Sequence, residues 1–468
     1  MPPDRYDAIV IGTGQAGPSL AVRLAGSGMR VAIAERGSVG GTCVNNGCIP
    51  TKTLIASAAV AHTAFRAGEY GVALPGAPRV DMKKVKARKD AIVEQTREGV
   101  ASWLRGTPGV TLLEGQARFE SPREIRVGDA RLSAERIFIN VGGRAVTSTI
   151  AGLPDVPYWT NSSIMGVDFV PPHLVVIGGS YVGLEFGQMY RRFGSQVTVV
   201  EMSPRLIARE DQDVSAAVRD IFEREGIAVR TGAKCIAAEK GPAGVRIRVD
   251  CEEGSPVVDG THLLVAVGRQ PNTGDLGLEK AGVAVDKRGY IVVDDELKTG
   301  VPGIWALGDC NGRGAFTHTS YNDYEIVAAN VLDGEHRRVS DRIETYALFI
   351  DPPLGRAGMT EEKALASGRK ILVGKRPMTK VKRAVEKGET LGFMKVVVDA
   401  DSKEILGAAI LGVTGDEVIH SILDVMYARA PYTLIQRAMH IHPTVSELLP
   451  TLLGELAPPG AKSVSATA

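Results

Sequence analysis

Apolar positions in this chain fall in short unbroken runs rather than in alternation. Tyr6-Asp-Ala-Ile-Val-Ile11, Val175-Val-Ile177, Val197-Thr-Val-Val200 and Leu263-Leu-Val-Ala-Val267 are the clearest. Unbroken runs predict parallel strands buried on both faces. Helical stretches separate them, so the pattern predicts doubly wound α/β domains. Beyond about residue 345 the character changes. Gly392-Phe-Met-Lys-Val-Val-Val398 and Gly407-Ala-Ala-Ile-Leu-Gly412 predict strands of a third, α+β domain, followed by a helix over Asp416–Ala428. The small, Pro/Gly/Ser-rich tail 457–468 is expected to be disordered.

One imperfect repeat organises the chain. Gly12-Thr-Gly-Gln-Ala-Gly17 follows a predicted strand and opens a helix, and Glu35 ends the next strand. Gly178-Gly-Ser-Tyr-Val-Gly183 does the same, with Glu201 at the end of its next strand. In both cases 23 positions separate the first Gly from the acid. The strand–Gly-rich turn–helix–acid pattern is what a dinucleotide needs. Glycines (Gly12, Gly14, Gly17; Gly178, Gly179, Gly183) allow the tight turn and the close approach of a pyrophosphate, and the acid accepts bonds from the ribose. The helix N-terminus offers its free amides to the phosphates. Ser180 stands where the second motif should have its middle Gly. Glu201 favours an unphosphorylated ribose and hence NADH; Arg205 and Arg209, just beyond it, are the alternative, a 2′-phosphate site. A second echo pairs Phe138-Ile-Asn-Val-Gly-Gly-Arg144 with Val265-Ala-Val-Gly-Arg269, which singles out Gly142 and Gly268.

Length and charge narrow the picture. At roughly 100–200 residues per domain, 468 residues suggest about three domains. Lys+Arg 55 against Asp+Glu 54 leaves a net charge of +1, which is no nucleic-acid footprint. The basic run Met82-Lys-Lys-Val-Lys-Ala-Arg-Lys89 reads as a solvated helix face. No apolar stretch reaches the length of a membrane span, and the N-terminus lacks the pattern of a signal peptide. Five cysteines in so long a chain make no disulfide scaffold. A cytoplasmic, reducing compartment is expected, where a disulfide is catalytic rather than structural.

The decisive segment is Gly40-Gly-Thr-Cys-Val-Asn-Asn-Gly-Cys-Ile-Pro-Thr-Lys52. Cys43 and Cys48 lie close enough in sequence to form a short, reducible loop. A pair of inert buried thiols is the plain alternative. A zinc site is not, because no second Cys/His pair with ligand spacing exists, and no metal ligand is assigned. Cys235, Cys251 and Cys310 read as small buried residues, with Cys310 next to Asp309.

This segment resembles the active site of the class I pyridine nucleotide–disulfide oxidoreductases, and the resemblance extends over about residues 5–456. Trp305-Ala-Leu-Gly-Asp309 resembles the family's second flavin signature, and Gly179-Ser-Tyr-Val-Gly-Leu-Glu185 its nicotinamide-side helix. Val267-Gly-Arg-Gln-Pro-Asn272 resembles the return to the flavin domain, and His440-Ile-His-Pro-Thr-Val-Ser-Glu447 the C-terminal acid–base motif. The resemblance implies FAD and NAD(P)H as cofactors. FAD is expected at Gly12, Gly14, Gly17, Glu35, Gly41, Thr42, Lys52, Gly142 and Asp309. The nicotinamide nucleotide is expected at Gly178, Gly179, Tyr181, Gly183, Glu201 and Gly268.

It further implies that Glu185 pairs with Lys52 beside flavin N5 and that Tyr181 covers the nicotinamide pocket. Cys48 would be the flavin-facing thiolate and Cys43 the exchanging thiol. His442, oriented by Glu447, would move the proton from a second subunit, which makes the protein a homodimer. The implied domains are 1–149 with 271–343 for FAD, 150–270 for NAD(P), and 344–456 for dimerisation.

Within the family the chain is most similar to the mercuric-reductase-like group, which includes the reactive-chlorine-resistance flavoproteins. Asn140-Val-Gly-Gly-Arg144 departs from the Ala-Thr-Gly-Ser of many relatives. Phe316-Thr-His-Thr-Ser-Tyr-Asn-Asp-Tyr324 departs from the flavin-side helix of dihydrolipoamide dehydrogenase. No cysteine follows Cys310, so the vicinal pair of mercuric reductases is missing. Three functions stay open: a reductase of a metal ion, oxidant or small disulfide; a dihydrolipoamide dehydrogenase; and a flavoprotein redox sensor with little turnover. His440 is expected either near the site or at the subunit interface.

Overall fold

The computed structural model describes residues 2–147, 150–234, 236–250 and 255–460. The unbroken apolar runs become two parallel sheets. In the first, Ala8–Ile11 lies at the centre, between Arg136–Ile139 and Val31–Glu35, with Ile304–Ala306 and Val110–Glu114 at the edges. In the second, His173–Ile177 and Gln196–Val200 are central, flanked by His262–Val265 and Ala228–Arg230. Ala8, Ile9, Val10, Leu174, Val175 and Val176 are wholly buried. Helices cover one face of the second sheet and the antiparallel strands Ala237–Gly241, Gly244–Arg248 and Val257–Gly260 pack on the other, so alternation would have buried polar side chains.

The second echo in the sequence pairs with itself. Gly143–Ala145 and Arg269–Pro271 form a two-stranded antiparallel ribbon, Arg269 opposite Ala145 and Pro271 opposite Gly143. The chain leaves the first α/β unit and returns to it through this ribbon. Beyond it lies a five-stranded antiparallel sheet in the order Thr345–Leu348, Leu354–Gly358, Ile405–Leu411, Phe393–Asp399 and Ile371–Pro377. The helix Gly415–Tyr427 buries Val418, Ile419 and Ile422 against it.

Buried ion pairs tie this third sheet to the second unit. Arg356 on the sheet meets Glu210, and Lys395 meets Asp211 at 3.2 Å. Arg192 bridges Glu225 at 2.7 Å and Asp351 at 2.5 Å. Charges buried this deeply are tolerated only as satisfied pairs, so they fix which surfaces meet.

Two expectations need correction. The helix Met82–Gly106 does carry the basic run, but Lys89 is not solvated. It is 5% exposed and donates to the Met165 carbonyl at 2.7 Å. The tail is not free from its start, because Ala457 bridges Val373 at the edge of the third sheet. Residues 461–468 lie outside the described residues. Among the described residues no helix is long and apolar enough to cross a membrane.

Candidate active site

The two glycine loops have the same hydrogen-bond design. Glu35 accepts from the Thr13 amide at 2.9 Å and from the Gly37 amide at 2.9 Å. Glu201 accepts from the Gly179 amide at 2.6 Å and from the Ser203 amide at 2.7 Å. Each acid therefore anchors the loop that opens its unit. Gly12 and Gly178 adopt φ of 102° and 118°, where only glycine is comfortable. A Cβ on Gly17 or Gly183 would overlap the carbonyl of Gly12 or Gly178, so those two glycines seat the helix on the strand. The helices Ala16–Gly26 and Tyr181–Phe193 carry no side-chain cap at Gln15 or Ser180. Apart from the Gly17 amide, which donates to the Gly14 carbonyl at 2.8 Å, and Pro18, which has no N–H, their first amides are left for another acceptor such as a pyrophosphate.

A cavity of about 2230 Å³ is lined from both loops. That is well above the roughly 300–1,000 Å³ of a single small-molecule site. Gly12, Gly14, Glu35, Gly41, Thr42, Gly142, Gly178, Tyr181, Glu201, Gly268 and Asp309 line it. Gly17, Gly179 and Gly183 do not; they act by packing. Gly142 and Gly268 have positive φ and nothing within reach of a Cβ, so backbone alone faces the space. The residues present fit an FAD at the first loop and a nicotinamide nucleotide at the second.

Cys43, Cys48, Lys52 and Glu185 line the same cavity. Cys43 lies in the short helix Gly41–Asn45, and Cys48 is the first residue of the helix Cys48–Phe65. The two thiols are neighbours that shift one another. The Cys43 thiol as hydrogen-bonding partner, helped by Thr317 and the Lys52 charge, outweighs burial and brings the Cys48 thiol down to about 6. Cys48, with burial, pushes Cys43 upward. The Thr317 hydroxyl lies 2.9 Å from Cys48 Sγ. A helix N-terminus adds to the preference for thiolate.

Lys52 Nζ meets Glu185 Oε2 at 2.7 Å, and the other carboxylate oxygen accepts from the Phe349 amide at 3.0 Å. The glutamate side chain is 7% exposed. Lys52 is thus held by a carboxylate of the second unit, which is itself fixed by a backbone amide next to the third sheet.

Asn140 and Asp323 support the site without a local signal of that role in the sequence, and Asp309 is expected from its motif. Asn140 is buried; its amide donates to the Gly14 carbonyl at 3.1 Å and braces the first loop. The departure from Ala at this position therefore matters structurally. Asp309 is raised by burial, against the pull of Arg269, whose Nε lies 3.5 Å away. Asp323, also buried, accepts from the Gly308 amide at 2.8 Å and from Asn311 Nδ2 at 3.0 Å, fixing the loop that carries Asp309.

His442 Nδ1 lies 2.8 Å from Glu447 Oε2, so the pair forms as expected. It does not line the cavity of its own chain. His442 is 72% exposed, and its neighbours Met439 and Ile441 are exposed as well. His440 turns its ring to the Ala438 carbonyl at 3.1 Å. Cys310 is wholly buried, its thiol pushed up to about 12 by that burial, which suits an inert residue. Cys235 and Cys251 lie outside the described residues. Arg205 is committed to the Ala208 and Glu210 carbonyls, whereas Arg209 lines the cavity.

The chain matches the pyridine nucleotide-disulphide oxidoreductase family over residues 6–323 and that family's dimerisation domain over 345–453. It is 36% identical to the probable pyridine nucleotide-disulfide oxidoreductase RclA of Escherichia coli, over 95% of this chain and 98% of that one. A solved Cu(II) complex of RclA, an HOCl-induced flavoprotein disulfide reductase, superposes with a TM-score of 0.87 at 35% identity, covering 96% of this chain and 99% of that one. Dihydrolipoyl dehydrogenase of Thermus scotoductus is 37% identical over 94% of this chain and 95% of its own. Mercuric reductase of Bacillus cereus is 32% identical over 89% and 66%.

Proposed function

Because the chain belongs to the pyridine nucleotide-disulphide oxidoreductases, an FAD-dependent family that uses NAD(P)H, we propose that it moves two electrons from NAD(P)H to a Cys43–Cys48 disulfide and from the dithiol to a metal ion or oxidant. The observation that carries this reading is the Cys43–Cys48 pair, with Thr317 on Cys48 and the Lys52–Glu185 ion pair in the same cavity, lined by both nucleotide loops.

FAD, when bound, supplies a two-electron acceptor between nicotinamide and sulfur. Gly14, Gly41, Gly142 and the free helix amides would hold its pyrophosphate side, with Glu35 and Asp309 at its sugar chains. Lys52, steadied by Glu185, would place a positive charge at the reacting end. Gly178, Gly268 and Glu201 would seat the nicotinamide nucleotide, and Tyr181 would cover its pocket. Cys48 stays ionised after reduction, while Cys43, the higher of the two thiols, exchanges with the acceptor. The exposed His442–Glu447 pair would serve the dithiol of a second subunit, taking and returning the proton. This division assigns residues 1–149 and 271–343 to FAD, 150–270 to NAD(P) and 344–456 to a homodimer interface.

The electrons balance. One NAD(P)H converts the disulfide to one thiol and one thiolate. Two Cu(II) ions then take one electron each, the disulfide re-forms and one proton leaves. Thiolates are soft ligands suited to copper or mercury, and RclA, a relative, is known as a Cu(II) complex. The likeness to dihydrolipoyl dehydrogenase supports a second reading, with dihydrolipoamide and NAD⁺ as reactants. The test is NADH oxidation driven by Cu(II) or Hg(II), run beside dihydrolipoamide oxidation by NAD⁺. Brisk metal-driven turnover that disappears in Cys43→Ser, with negligible dihydrolipoamide turnover, is the expected result. Fast dihydrolipoamide turnover would replace the first reading with the second.

A further inference from the structure

Three rings from three different segments meet at the cavity wall. Tyr181 opens the helix Tyr181–Phe193, Phe316 precedes the helix Thr317–Ala328, and Tyr346 lies in the strand Thr345–Leu348. Their centroids are 5.5 Å apart in every pair. Tyr181 meets the other two edge-on, at 87° and 85°, whereas Phe316 and Tyr346 stack at 17°. These are the separations and angles that aromatic pairs prefer. All three rings line the cavity that holds the dithiol.

Tyr346 is the fixed member of the set. It is 8% exposed, and its hydroxyl donates to Glu210 Oε1. The other oxygen of Glu210 takes the Arg356 guanidinium, with Nε at 3.0 Å. Glu210 and Arg356 are each 1% exposed. Arg356 also reaches Asp211 at 3.6 Å, and Asp211 accepts the Glu361 and Glu362 amides at 3.1 Å each. A charged network sealed from water in this way does not shift for a few contacts. Tyr181, in contrast, is only half-buried, and its backbone belongs to the first turn of its helix.

We propose that Tyr346 is a positioning residue for the nicotinamide site: its ring, moored through Glu210 and Arg356, holds Tyr181 in the closed position and sets how readily the pocket opens. This rests on Tyr181 being the cover of the nicotinamide pocket. A cover that must swing aside lowers the affinity for its ligand by the fraction of time it stands open. Weakening the closed contacts raises that fraction. Removing the ring of Tyr346 therefore tightens nicotinamide binding, and it does so only while Tyr181 is present.

The experiment uses the FAD-loaded protein and calorimetric titration with the non-transferring tetrahydro analogue of NADH. Tyr346→Leu and Tyr346→Phe are each made in the parent and in a Tyr181→Ala background. Tyr346→Leu should lower the dissociation constant by roughly two- to tenfold in the parent, the worth of one or two aromatic contacts. Tyr346→Phe, which keeps the ring contact but loses the mooring and the hydroxyl bond to Tyr181, should move it in the same direction by less. In the Tyr181→Ala background both changes should fall below twofold. Equal effects in the two backgrounds, or no effect in the parent, overturn the proposal while leaving Tyr181 as the cover. A dissociation constant untouched by Tyr181→Ala alone removes the cover itself, and the proposal with it.

Discussion

The cysteine pair and the His442–Glu447 pair are the two candidate chemical centres of this chain, and their settings are opposites. Cys43 and Cys48 sit in a cavity already furnished with a hydroxyl, a lysine and a helix N-terminus. His442 has its carboxylate at 2.8 Å and little else, with 72% of its side chain in solvent. The thiols are tuned within one chain. The imidazole is oriented within one chain but has nothing of its own to act on. The difference is what the proposed homodimer requires, with each copy lending its histidine to the other's dithiol.

The largest expected effect breaks the dithiol half. Cys48→Ser should retain FAD but lose the long-wavelength thiolate-to-flavin band and cut NADH-driven disulfide turnover by at least about 10⁴-fold, measured by anaerobic spectra and steady-state rates. An unchanged band would transfer the flavin-facing role away from Cys48. His442→Ala should lower disulfide turnover by roughly 10²–10⁴-fold, the range of general acid–base effects, with the band intact. A change below threefold would remove His442 from the mechanism. Mixing the inactive Cys48→Ser and His442→Ala chains sharpens the comparison. If the centres belong to different subunits, mixed dimers regain one working site each; if both act within one chain, mixing restores nothing.

Acid titration of the reduced enzyme is a gentler probe. Cys48 sits below the ordinary thiol range, so its thiolate persists above pH about 6 and is lost as pH falls through that value. The band should fade over the same interval. Thr317→Val should raise the midpoint by roughly one pH unit, the lower end of what a hydrogen bond to a charged group is worth. The smallest effect is expected of Glu447→Gln, about tenfold on turnover, since the imidazole remains and only its orientation suffers.

Much of this was legible in the sequence because it is local. A strand, a glycine turn and an acid 23 positions on carry their own hydrogen-bond design, and the structure repeats it at Glu35 and Glu201. The dithiol is local too. The Lys52–Glu185 pair spans 133 positions and was accessible only through family resemblance. Thr317 at Cys48, Asn140 beneath the first loop and Glu210 with Arg356 behind Tyr346 joined segments that no periodicity connects. Lys89 departs from the solvated face of its neighbours because its helical position turns it inward to the Met165 carbonyl.

The most direct test of electron delivery to sulfur is a count of thiols. The FAD-loaded protein, oxidised and then treated anaerobically with NADH, should gain two reagent-accessible thiols per chain, and Cys43→Ser should gain none. Bleaching of the flavin with no new thiols would contradict the account.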